Sequence, residues 1–101
     1  MPEMRFEIEW PDGGRQTCYS PSLVVKEHLE PGRSYDVADF VARCQAALEI
    51  ASERVRAKYG APCGLARAES ERIARVAGAF ADRPGAKVRV LGFIESRRAH
   101  P

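Results

Sequence analysis

The chain has 101 residues, enough for one domain, and its 16 Lys and Arg against 14 Asp and Glu leave a net charge of +2. A domain of this size buries roughly 60–70% of its unfolded surface, so it needs neither a metal nor a disulfide to fold. Acids are interspersed among the arginines, which argues against the basic stripe of a nucleic-acid-binding protein, and no apolar run approaches the ~20 residues of a membrane span.

Met4 to Trp10 alternates strictly, with Met4, Phe6, Ile8 and Trp10 on one face and Arg5, Glu7 and Glu9 on the other. That pattern predicts a half-buried strand with one wet face. Pro11-Asp12-Gly13-Gly14 is turn chemistry, because Pro presets φ and glycine accepts positive φ. Arg15 to Tyr19 then returns as the second strand of a hairpin. These glycines join two strands and open no helix, so they do not form a phosphate cradle.

Ser20-Pro21-Ser22 has the composition of a helix entry, with Ser20 as cap and Pro21 in the first position. A short helix bearing Leu23, Val24, Val25 and Leu29 is expected before Pro31-Gly32. The paired valines also suit an extended segment.

Asp36 to Tyr59 is the strongest helical signal in the chain. Val37, Val41, Cys44, Leu48, Ala51 and Val55 return to one face in steps of three and four, widened by Phe40, Ala47 and Ile50. Asp36 suits the N-cap, Asp39 the first turn, and Arg54, Arg56 and Lys58 the C-terminal end, where cations are favoured. Gly60 can take the left-handed stop.

Past the corner Ala61-Pro62-Cys63-Gly64, a second amphipathic helix is expected to start at Pro62. Leu65, Ile73, Val76, Ala77 and Phe80 form its stripe, and Arg67–Glu71 and Glu71–Arg75 its i,i+4 pairs. Arg83-Pro84-Gly85 ends it. Lys87 to Ile94 alternates as a further strand, and Glu95 to Pro101 reads as a polar, frayed tail.

The fold class expected is therefore α+β: a two-layer sandwich over residues 1–94, in the order β-β-α-α-α-β. Its three-stranded sheet has the first strand in the middle. Helices are expected over the Phe6, Ile8 and Trp10 face, leaving Glu7, Glu9, Lys87 and Arg89 open to water or a partner.

No constellation specifies a reaction. The three cysteines, Cys18, Cys44 and Cys63, are odd in number and lack paired spacing. With no secretory apolar segment after Met1, this points to reduced thiols in the cytoplasm. Cys63 is the one weak catalytic candidate. At a helix N-terminus its thiolate would be stabilised, with Lys58 close in sequence, though packing explains most such cysteines. Cys44 sits in the helical apolar stripe and reads as core, and Cys18 as strand packing. His28 and His100 have no zinc-ligand spacing, so no metal or other cofactor is expected. Arg54, Arg56 and Lys58 could take an anion, but charge complementing a helix C-terminus accounts for them more simply. Glu7 and Glu9 are best explained as a solvated strand face.

Four segments taken together, MPEMRF, WPDG, CYSPSLVV (18–25) and IASERVRAKYG (50–60), resemble the small bacterial nitrogen-starvation-response proteins, a family known by a mycobacterial locus name. The resemblance runs to about Ile94 and is densest up to Gly60. Relatives tend to follow the long helix with Gly-Phe-Ala-Cys-Ser. Here Gly60-Ala61-Pro62-Cys63-Gly64 keeps the cysteine and loses the aromatic and the serine. The resemblance carries over no functional residue. It implies a setting beside a nitrilase, a flavin-dependent oxidoreductase, a radical-SAM protein and an acetyltransferase, in clusters linked to cyanide or nitrile assimilation. The expectation is a non-enzymatic accessory protein that binds a cluster enzyme or its own copy. The alternative is a small thiol-dependent enzyme or small-molecule sensor using Cys63.

Overall fold

A computed structural model describes residues 3–61 and 64–96. Strands β1 (Glu3–Glu9), β2 (Arg15–Ser20), β3 (Ser34–Asp36) and β4 (Lys87–Ser96) form one antiparallel sheet in the order β2-β1-β4-β3. Helices α1 (Val37–Tyr59) and α2 (Gly64–Gly78) pack on one face of it. The α+β class holds and β1 lies inside the sheet, but the expected three strands are four. The extra strand, β3, has only three residues, too few for alternation to register.

The hairpin closes as its turn residues require. Gly13, at φ +89°, donates its N–H to the Trp10 carbonyl at 2.8 Å, and the Asp12 carboxylate accepts the Gly14 N–H at 2.8 Å. Met4, Phe6, Ile8, Cys18, Val88 and Val90 are fully buried beneath the helices. Trp10 is central to this core: it stacks on Phe80 at 5.7 Å, meets Phe40 edge-on at 5.7 Å, and donates its indole N–H to Gln16 at 2.9 Å.

The helix expected between Pro21 and Leu29 is instead a 3-10 turn over Leu23–Glu27. Its cap is Ser22, which accepts the Val24 N–H at 3.3 Å, while the Ser20 hydroxyl donates to the Ser22 carbonyl. The β-branched pair Val24 and Val25 disfavours a longer helix.

Asp36 does hold the N-cap position of α1, but its carboxylate makes no capping bond. It accepts instead from Lys87 on β4 at 3.0 Å, because Asp36 is also the last residue of β3 and lies opposite Lys87. Phe40, Cys44, Ala47, Leu48 and Ala51 are the buried residues of α1. Val37, Val41 and Val55 are half-buried and Ile50 is exposed, so the buried seam is narrower than the sequence stripe. At the C-terminus Gly60, with φ +85°, donates to the Arg56 carbonyl at 2.8 Å.

The start expected for the second helix at Pro62 lies outside the described residues. The stripe of α2 is also corrected. Ala66, Ile73 and Ala77 are buried, whereas Leu65 is exposed, and Phe80 joins the core from the turns beyond Gly78. Arg67 and Glu71 pair at 3.4 Å as expected. β4 runs past Ile94 to Ser96, and residues 97–101 of the expected tail lie outside the described residues.

Candidate functional site

The sheet has a covered face, a solvent face and two dissimilar edges. The solvent face carries alternate residues of each strand: Arg5, Glu7 and Glu9 from β1, Thr17 and Tyr19 from β2, Lys87 and Arg89 from β4. Glu9 is directly opposite both Arg15 and Arg89, and its carboxylate lies 3.9 Å from Arg15. The Arg5 guanidinium sits 6.0 Å from the centre of the Tyr19 ring. Charges of both signs are thus interleaved, and the Glu7–Glu9 pair belongs to this lattice rather than to a cleft.

The β2 edge is sealed by a helix. Glu69, buried on α2, accepts the Tyr19 main-chain N–H at 2.7 Å. Arg72 binds both carboxylate oxygens of Glu69, at 2.6 and 2.9 Å, and donates to the Thr17 carbonyl at 3.1 Å. One acceptor and one donor therefore stand where a neighbouring strand would be, which closes an edge that would otherwise template further pairing. Sequence reasoning missed this pair. Its signal was available: Glu69 lies three residues after buried Ala66 and four before buried Ile73, an acid placed in an apolar seam.

The opposite edge is different. β3 covers β4 only from Lys87 to Arg89, and Val90 is bonded by its N–H to the Arg33 carbonyl and by its carbonyl to the Gly32 N–H. Beyond Val90, no strand among the described residues lies on that side of β4. A bulge at Leu91 shifts the register with β1 between Glu7 and Ile8. The segment Leu91-Gly92-Phe93-Ile94 follows, without a charge, and Ile94 is 48% exposed.

The chemical candidates do not converge. Cys63 lies outside the described residues. Cys18 and Cys44 are buried thiols. Burial, reinforced by the nearby Glu69 charge, pushes the Cys18 thiol up to about 12. Burial also raises Cys44 well above the ordinary thiol range. Neither forms a thiolate near neutrality. The His28 ring lies 3.3 Å from the Val24 carbonyl, a local contact, and His100 lies outside the described residues. Arg54 donates to Ser22 at 3.3 Å, Arg56 pairs with Glu53 at 2.9 Å, and the Lys58 ammonium lies 5.6 Å from the Tyr59 ring centre. These three cations point to different partners and build no common anion site. Among the described residues there is no group of three or more His, Cys, Asp or Glu able to hold a metal ion. None of their helices is long and apolar enough to cross a membrane.

Two open grooves follow the seam between α1 and α2. One, of about 420 Å³, is lined by Gln45, Ser52, Arg67, Ser70 and Glu71. The other, of about 610 Å³, is lined by Val37, Val41, Ala74, Ala77 and Phe80.

Residues 5–93 match the family model for the nitrogen starvation-induced protein NitG. The chain belongs to the NitG family. The match contains β2, β3 and both helices and reaches into β1 and β4, so the family covers nearly the whole fold rather than one motif. The nitrogen-starvation family expected from four short segments is thereby shown for this NitG chain. No curated protein and no solved structure matches it.

Proposed function

We propose that this NitG-family chain is a non-enzymatic accessory protein of the nitrogen-starvation response, acting in the cytoplasm through protein–protein contact at the outer edge of β4. The observation that carries this reading is the contrast between the two sheet edges. Proteins guard exposed edges with charge, proline or a covering element, and an unguarded edge invites strand addition. Here Glu69 and Arg72 guard β2, while Leu91 to Ile94 carry neither charge nor proline. Partners in this reading are other products of a nitrile- or cyanide-assimilating gene cluster, or a second copy.

The test is native mass spectrometry of the tagged chain purified gently from nitrogen-starved cells, beside an Ile94→Lys variant. A stoichiometric protein companion, or a self-assembly, that the variant loses is the expected result. A bare monomer carrying an added small mass, or a modified Cys63, would overturn the accessory reading in favour of a sensor or thiol enzyme.

A further inference from the structure

We infer that the occupant of the outer β4 edge is β4 of a second copy of this chain, running antiparallel about a two-fold axis near Phe93. This rests on the interaction reading above and names its partner.

The direction of the main-chain groups comes first. In antiparallel sheets, successive residues turn their N–H and C=O to opposite sides. The Tyr19 N–H points outward to Glu69, so Arg5, opposite Tyr19, turns its own groups toward β4, where it pairs with Ile94. Phe93 must then turn its N–H and C=O away from β1. No strand among the described residues meets them there.

Charge comes second. Lys87 and Arg89 supply the polar face while β3 lies alongside, and Leu91 to Ile94, just past the last bond to β3 at Val90, carry no charge. A two-fold axis at Phe93 sets Phe93 against its own copy and Gly92 against Ile94, so no like charges meet there. Leu-Gly-Phe-Ile is neutral throughout and offers no charge to select an oppositely charged partner. On the solvent face the half-exposed Ile94 of each copy would lie opposite Gly92 of the other, so the two Ile94 side chains approach diagonally across the axis.

Closure comes third. Because Gly32 and Arg33 hold Val90, the incoming strand lies along residues 91–96, and one continuous sheet would pass through both copies. It ends on each side at a β2 edge sealed by Glu69 and Arg72. Copies can therefore pair edge to edge only once, giving a closed dimer rather than a fibre.

The experiment is light scattering of the full chain across a concentration series, with amide hydrogen exchange on the same samples. The expected result is a reversible species of twice the 11.2 kDa chain mass, with Phe93 amide protection rising with concentration. Ile94→Lys places two like charges diagonally across the axis, roughly 7–8 Å apart, and should weaken the dimer at least about tenfold. Tyr19 amide protection should persist in that variant, showing that its fold is intact. A monomer at every concentration, a dimer whose Phe93 amide stays unprotected, or a dimer unaffected by Ile94→Lys would each overturn the inference. If the monomer instead captures another protein through β4, the interaction reading stands and only the self-pairing fails.

Discussion

The carboxylate of Glu69 in α2 accepts the main-chain N–H of Tyr19, fifty residues earlier, at 2.7 Å. With Arg72 on the Thr17 carbonyl, this bond makes α2 a surrogate strand and ties the second helix to the hairpin. Among the described residues, Glu69 is the one buried acid, and it supports the fold directly.

Glu69→Ala should therefore cost about 2–3 kcal/mol, mostly from leaving the Tyr19 N–H without a partner. Glu69→Gln keeps an acceptor oxygen and should lose less. Urea unfolding gives the free energies. The Tyr19 amide should exchange faster in Glu69→Ala, and the opened β2 edge should make that variant aggregate at high concentration.

The buried thiols set a pH dependence at the alkaline end. A Cys18 held near 12 in the folded state, against 9.0 when exposed, keeps its proton while the unfolded chain loses one. Stability is full below pH 9 and falls as pH rises toward 12, by up to about 1.4 kcal/mol per pH unit from this thiol. Cys44 acts in the same direction. Chemical denaturation of wild type and Cys18→Ala at pH 8, 10 and 11 should show a shallower decline in the variant.

The same protonation state fixes reactivity. At pH 8, iodoacetamide should leave Cys18 and Cys44 untouched in the folded protein, since the thiolate is the nucleophile. Any thiol modified before unfolding is then Cys63. A Cys63 that reacts with an apparent pKa well below ~8.5 would revive a thiol chemistry, whereas one inert until denaturation would remove it.

Trp10 is held on three sides, by Phe40, Phe80 and Gln16. Trp10→Ala should cost about 3–5 kcal/mol. Trp10→Phe keeps the ring contacts and should lose roughly 1 kcal/mol with the indole hydrogen bond. Circular dichroism must follow both unfolding curves, because Trp10 is the sole tryptophan.

Gly60 closes α1 at φ +85°, and a Cβ there would meet nothing within 4 Å. Gly60→Ala should thus cost only the conformational penalty, about 1 kcal/mol, read as a small loss in melting temperature.

Everything with a local period could be read from the sequence. The three-to-four spacing of Phe40, Cys44, Ala47 and Leu48 identified α1, the alternation from Met4 to Ile8 identified β1, and Gly13 and Gly60 marked a turn and a stop. Each depends on neighbours a few residues away, whose faces are set by helix or strand geometry alone. The tertiary structure decided what depends on distant neighbours. β3 is a strand only because Val88 lies opposite Tyr35, and Asp36 gives up its capping bond because Lys87 lies across from it. Leu65 is exposed although it falls on the apolar stripe, since burial needs a surface to pack against as well as a pattern. The sealed β2 edge and the uncovered reach of β4 belong to the same class. An edge exists only once strands distant in the chain have paired, and no period within one strand shows which side is left bare.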